Sequence, residues 1–157
     1  MKIKSASLLT ATETFLCQQC NCVAVKPHGL SATLRPNPYT RRRAISGRNC
    51  AVIEDRPKPG TIEILDGRVL CMYAQYGMGA PFSFNNRDGV LFSGDTSVQR
   101  AVWFAKCLDR MHDLEGTFAM PYKIGCGLAG GNWDTYLRLL ESSEIADRIT
   151  LYRLSGQ

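Results

Sequence analysis

The stretch Met120-Pro-Tyr-Lys-Ile-Gly-Cys-Gly-Leu-Ala-Gly-Gly-Asn-Trp133 constrains this chain more than any other. The apolar run Thr117 to Met120 reads as a short buried strand. Ile124 to Gly131 follows as a loop with Gly125, Gly127, Gly130 and Gly131, and Asn132 can cap a helix from Trp133 to about Ser143. Glycines let backbone N–H groups turn toward one point, and a helix start adds unpaired N–H groups and partial positive charge. A strand that enters a helix through such a loop makes an anion cradle suited to phosphate. No Gly-Lys-Ser/Thr follows, so it is not a Walker loop. It lies near the C-terminus, not after a first strand, so it is not a dinucleotide fingerprint either. A plain flexible connection is the other reading of the spacing.

The rest of the pattern asks for a sheet around that loop. Phe15 to Val25 reads as a largely buried strand, with a short helix at Gly29 to Leu34 stopped before Pro36. Arg35 to Pro59, with four prolines and Gly47, reads as a basic loop. Thr61 to Leu65 and Val69 to Tyr76 flank Asp66-Gly67, a hairpin signal because the tight turn needs positive φ. Gly77 to Ser93 reads as irregular. A helix is predicted over about Thr96 to Glu115, with Val98, Ala101, Val102, Ala105, Leu108 and Met111 as its apolar stripe. Thr96 and Gln99 form its capping box, Asp95 stands at its positive end and Gly116 is its stop. Arg148 to Leu154 closes the chain as a strand. The alternation implies an α/β fold with a mixed sheet and helices on both faces.

The 157 residues make one domain, residues 1–157, and a hydrophobic share of 45% excludes disorder. The net charge of +5 is unevenly placed. Thr14 to Ile53 holds six basic residues (Lys26, Arg35, Arg41, Arg42, Arg43, Arg48) and no acidic one, whereas the rest of the chain has 13 basic and 14 acidic residues. Such a segment suits an anionic partner, phosphate or nucleic acid. The arginine run has only Tyr39 among it, which gives base stacking little support. Cys17-Gln-Gln-Cys20 has zinc-ribbon spacing, but no second pair follows and His28 and His112 stand apart, so no metal and no cofactor is expected. The seven cysteines read as reduced thiols of an intracellular protein. With no leader or membrane segment in view, the chain is expected to be a monomer without a membrane partner.

A second segment joins the glycine loop in carrying chemistry: Cys20-Asn-Cys-Val-Ala-Val-Lys-Pro-His-Gly-Leu-Ser31. A buried strand delivers Asn21 near its carboxyl end, where its amide can bond a ribose hydroxyl or satisfy neighbouring backbone. His28, in the loop with Pro27 and Gly29, is either a plain exposed loop residue or an acid, base or phosphate partner. Cys126, among N–H donors near a helix start, reads either as a structural thiol or as one whose pKa that setting lowers.

The two segments together resemble the macro domain, the ADP-ribose-binding fold. Asn21 to Leu30 resembles its first ligand loop and Ile124-Gly-Cys-Gly-Leu-Ala-Gly-Gly131 its diphosphate-cradling loop. Met72-Tyr-Ala-Gln75, Asp95-Thr96, Trp103-Phe104 and Leu151-Tyr-Arg-Leu154 extend the likeness over nearly the whole chain. It is closest to the compact branch that includes terminal ADP-ribose–protein glycohydrolases and relatives in phages, algae and large viruses. The resemblance implies a three-layer α/β/α sandwich with a mixed central sheet, and ADP-ribose or an ADP-ribosylated protein as partner. It implies a cleft bounded by Lys26, His28, Gly29 and Leu30 on one side. On the other would stand Gly125, Cys126, Gly127, Leu128, Ala129 and Gly130, with Asn21 near the distal ribose and Gln75 facing the ligand.

The sequence also departs from that family. Where many macro domains have an adenine-reading Asp after the first strand, this chain has Ser7. The branch's glycohydrolases use a Lys near Ala74 to Tyr76 and an Asp after Gly-Cys-Gly-Leu. Here there is no such Lys, and the Asp position is Ala129, so a covalent lysine mechanism is not supported. Three readings of function remain. One is hydrolysis of an ADP-ribose derivative, either the 1″-phosphate or an ester-linked mono-ADP-ribosyl group, with Asn21 and His28 as catalytic candidates. The alternative is a non-catalytic reader, and nucleic-acid binding through the arginines is a third reading.

Overall fold

The computed structural model describes residues 1–81 and 94–156. Six strands form one sheet: Lys2–Ser5 (β1), Phe15–Gln19 (β2), Ile62–Leu65 (β3), Val69–Met72 (β4), Phe118–Pro121 (β5) and Ile149–Arg153 (β6). Their order is β1-β6-β5-β2-β4-β3, parallel throughout except for β3 against β4. Residues alternate between two cores, as the two-residue period of a strand requires. Phe15, Cys17, Leu70, Met72, Phe118 and Met120 face one side, and Leu16, Val69, Cys71 and Ala119 the other. The first side is covered by Ser97–His112 (α2) and Trp133–Ser142 (α3). The second is covered by Pro38–Ser46 (α1) and the short 3-10 turns Leu8–Thr10 and Gly29–Ala32. The result is a three-layer α/β/α sandwich around a mixed sheet.

The hairpin forms as its sequence demands. Leu65 pairs with Val69 across a turn in which Asp66 and Gly67 hold φ of 50° and 67°. The C-terminal strand and the glycine-loop helix are also where the pattern put them, with Asn132 Oδ1 accepting from Thr135 N at 3.2 Å.

Several elements differ from expectation. β1 was not anticipated, because four exposed residues at a sheet edge carry no apolar alternation. The strand from Phe15 ends at Gln19, well short of Val25, because Asn21 turns the chain. The helix at Gly29 is a single 3-10 turn. The segment read as a basic loop at 35–59 contains α1. Asn37 Oδ1 caps it by accepting from Tyr39 N and Thr40 N, Pro38 opens it and Gly47 closes it at φ 69°. Proline at a first helical position is a start signal, not a breaker. Most of the connection expected at Gly77 to Ser93 lies outside the described residues.

The buried face of α2 is also rotated from the predicted stripe. Arg100, Phe104, Cys107, Leu108 and Met111 point inward, while Val98 is 76% and Val102 43% exposed. Arg100 hid the true stripe, because a guanidinium enters a core only with a neutralising partner, and that partner is Asp95.

The basic segment is partly internal. Arg42 is buried and donates to Tyr73 Oη at 2.8 Å and Cys50 Sγ at 2.7 Å, and Arg41 is paired with Asp66. All seven cysteines are free thiols. Among the described residues, no helix is long and apolar enough to cross a membrane.

Candidate functional site

The connection that leaves β2 runs over one face of the sheet with α1, and that which leaves β5 over the other with α3. The chain thus diverges at the carboxyl ends of β2 and β5, the place where parallel α/β sheets open a ligand crevice. A cleft of about 470 Å³ lies there.

One wall is the segment 26–31. Asn21 sets its shape: its Oδ1 accepts from Val23 N at 3.1 Å and Ala24 N at 2.7 Å, and its Nδ2 donates to Tyr39 Oη at 3.3 Å. His28 and Ser31 lock the following turn, with His28 N donating to Ser31 Oγ at 2.8 Å and Ser31 Oγ donating to His28 O at 2.6 Å. The turn starts at Gly29, with φ 56°. Its first N–H groups, at Gly29 and Leu30, have no carbonyl within the turn to bond. The His28 imidazole is exposed on this wall.

The opposite wall is the glycine loop. Its turns are tied by Cys126 N to Lys123 O, Gly130 N to Gly127 O and Gly131 N to Gly125 O, each at 3.0 Å. Among the described residues, the N–H groups of Gly127, Leu128 and Ala129 meet no backbone acceptor. Gly125 holds φ 74°, and a Cβ there would lie 2.5 Å from Gln19 Oε1; at Gly131 it would lie 2.5 Å from Gly125 O. These two glycines let the loop pack against the floor and against itself. At Gly127 a Cβ would meet nothing within 4 Å, so that residue is open to the cleft.

The floor comes from Gln18 and Gln19 at the end of β2, Gln75 after β4, and Pro121 at the end of β5. Behind it, Asp95 and Arg100 form a buried two-point pair, with Nε to Oδ1 at 2.7 Å and Nη2 to Oδ2 at 2.8 Å. Asp95 also accepts from Tyr76 N and Gly77 N, and Arg100 Nη1 donates to Gly79 O at 2.7 Å and Ala129 O at 3.3 Å. The pair therefore fastens both the 76–79 segment and the glycine loop to the start of α2.

Solved structures share this architecture. The macrodomain of Thermus aquaticus DarG aligns with a TM-score of 0.61 over 99% of this chain and 97% of its own, at 15% identity. The chain has the macrodomain fold. The macrodomain of Mycobacterium tuberculosis DarG gives 0.59 over 99% and 97% at 16% identity. A macrodomain protein from Streptomyces coelicolor gives 0.52 over 99% of each chain at 15% identity. No protein-family model and no curated protein matches the sequence.

Within this fold, the cleft gathers Asn21, Lys26, His28, Gly29, Leu30, Gln75, Gly125, Gly127, Leu128 and Ala129. Ser7, Cys126 and Gly130 are not among its lining residues. Ser7 caps the Leu8–Thr10 turn by accepting from Leu9 N at 3.2 Å. Gly130 makes the loop's turn at φ 70°. Cys126 Sγ donates to Ile124 O, and burial pushes the thiol up to about 11, so it is the structural thiol and not the lowered one. The helix start that would lower it is at Trp133, seven residues on. Gln75 is buried and turned inward, its Nε2 bonded to Gly77 O. Sequence reasoning missed Gln18, Gln19, Ser31, Tyr39, Met78, Gly79, Pro121, Lys123 and Ile124, which also line the cleft. The one available signal was a Gln-Gln pair ending an apolar strand, which places an amide on each face of a buried sheet.

Proposed function

We propose that the cleft binds ADP-ribose or an ADP-ribosyl derivative, with the diphosphate between Gly29–Leu30 and Gly127–Ala129. The observation that carries this reading is the pair of facing backbone N–H sets, which offer an anion fixed donors from both sides of a crevice at the strand ends. Lys26 adds a cation at the rim. The partner is then free ADP-ribose or an ADP-ribosylated protein, met inside the cell. With Arg42 buried and Arg41 paired, the arginine run favours this small anion over nucleic acid. Calorimetry with ADP-ribose tests the reading. Saturable binding lost in Gly127→Glu supports it, and no binding overturns it.

A hydrolytic reading is favoured by one further observation, the exposed His28 imidazole on the cleft wall. It is the one histidine in the cleft and the candidate acid or base toward a water attacking the 1″-phosphate or a mono-ADP-ribosyl ester. Asn21 would act by holding the wall, since both ends of its amide are engaged. Turnover of ADP-ribose-1″-phosphate or of mono-ADP-ribosylated protein, lost in His28→Ala with binding retained, supports hydrolysis. Tight binding without turnover leaves a reader.

A further inference from the structure

The wall of the cleft formed by residues 26–31 also borders a second hollow. Lys26, His28 and Gly29 line the cleft, whereas Pro27 and the adjoining Ala32 line an open groove of about 610 Å³. The first turn of α1 divides in the same way, with Tyr39 on the cleft and Thr40 on the groove. Asn37 ties the wall to the helix. Its Nδ2 donates to Ser31 O at 2.7 Å, while its Oδ1 caps α1. Arg35 is pinned beside it, its Nη1 donating to Ala32 O and Leu34 O at 2.8 Å each. The groove is therefore held in shape by bonds within the protein, which lowers the ordering cost of filling it.

The chemistry of the lining selects an occupant. Pro27, Ala32, Pro36 and Ala44 make an apolar surface of short side chains, across which an extended chain can lie. Among the described residues no carboxylate lines it, and Arg41, which does, is already paired with Asp66. Arg35 is exposed and meets no carboxylate, and its Nε and Nη2 donate to nothing among the described residues. A guanidinium anchored through one nitrogen presents the others to an incoming carboxylate. No aromatic ring lines the groove, so nucleic-acid bases have nothing to stack on there, whereas aliphatic side chains of a peptide pack on proline and alanine.

We propose that this groove receives the protein chain that carries the ADP-ribosyl group, as an extended segment with a carboxylate side chain against Arg35. The inference rests on the reading of the cleft as an ADP-ribosyl site. A modified protein whose ADP-ribosyl group enters the cleft over the 26–31 wall lays its own backbone in the groove beside it. The cleft then recognises the modification, and the groove selects acidic acceptors.

The test is calorimetric titration with free ADP-ribose and with three synthetic peptides. Each peptide carries one ADP-ribosyl group through a non-hydrolysable link, flanked by glutamates, alanines or lysines. The glutamate-flanked peptide is expected to bind about fivefold or more tightly than the lysine-flanked one, with the alanine-flanked one between. Arg35→Gln and Ala44→Glu each weaken the glutamate-flanked peptide by a similar factor and leave free ADP-ribose unchanged. Ala44 is exposed on α1, so Ala44→Glu serves alone if Arg35→Gln fails to fold. Equal binding of the three peptides overturns the groove as an acceptor site and leaves the ADP-ribosyl reading intact. A preference for glutamate that persists undiminished in both variants overturns its placement in this groove. An ADP-ribosylated oligonucleotide bound more tightly than the glutamate-flanked peptide overturns the protein as occupant. Absence of binding by any of these compounds overturns the reading of the cleft, and this inference with it.

Discussion

Arg100 reaches Asp95 through two hydrogen bonds at 2.7 and 2.8 Å, and both side chains are 2% exposed. Neither lines the cleft beside β2 and β5, yet the pair's remaining bonds go to Tyr76, Gly77, Gly79 and Ala129, of which the last two line it. Arg100→Met leaves a buried carboxylate without its counter-ion and is expected to cost about 3–5 kcal/mol in urea unfolding. The double variant Arg100→Met with Asp95→Leu is expected to recover most of that loss, because an apolar pair can replace a buried ion pair. It is not expected to recover ligand affinity, since Gly79 O and Ala129 O still lack their donor. Recovery of both would show the pair to be a stability element alone.

The glycines of the loop separate by what surrounds them. Gly125→Ala places a methyl group 2.5 Å from Gln19 Oε1 at φ 74° and is expected to cost about 1–3 kcal/mol. Gly127→Ala meets no atom within 4 Å and is expected to change stability by less than about 0.5 kcal/mol. Chemical unfolding of the two variants side by side checks the contrast. Equal losses would contradict the geometry of the loop.

Among the described residues, Lys26, Arg35, Arg43 and Arg48 of the basic segment are exposed and meet no carboxylate. Lys26 lines the cleft, Arg43 lies on α1 and Arg48 just after it, and exposed cations of one sign draw in an anion from a distance set by salt. Association rates for ADP-ribose, measured by stopped flow, are expected to fall about threefold or more between low and high salt. A triple Lys26→Ala, Arg43→Ala, Arg48→Ala variant should flatten that slope. Rates independent of salt would remove the steering role.

Alkaline pH should destabilise the fold. Burial raises Cys17 and pushes Cys107 up to about 12, Cys126 to about 11 and Tyr136 to about 12. In the unfolded chain these thiols ionise near 9.0 and the phenol near 10.0. Between those values and the folded ones, the unfolded chain holds fewer protons, so stability falls as pH rises. The urea midpoint is therefore expected to be level up to about pH 8.5 and to decline steadily above it. A midpoint unchanged to pH 11 would contradict the burial of these groups.

What was legible in the sequence was what short-range chemistry dictates. Asp66-Gly67 specifies its hairpin, and the glycines before Asn132 specify a loop that turns into a helix. Pro38 misled because proline marks both a break and a helix start, and only the cap at Asn37 decides which. The face of α2 misled because Arg100 counts as polar until Asp95 is seen beside it, and that pairing depends on how the loop before α2 folds back. Asn21 and His28 were visible as residues of a loop, but whether their side chains were free was not. The structure commits the Asn21 amide to Val23, Ala24 and Tyr39, and leaves the His28 ring exposed. The Gln19–Gln75 hydrogen bond joins positions 56 residues apart and has no local signature.

The cleft takes its walls from residues 21–31 and 123–129, and its floor from the ends of β2 and β5 and from Gln75. These stretches meet only once the parallel strands between them have assembled, so no fragment of the chain carries half a site. Occupancy and folding are then one equilibrium. A ligand at a hundred times its dissociation constant adds about 2.7 kcal/mol to the folded state. For a domain of this size that raises the melting midpoint by about 5–10 °C. The melting curve thus serves as a label-free ligand assay, able to rank nucleotides, sugar phosphates and modified peptides before any reaction has been assigned.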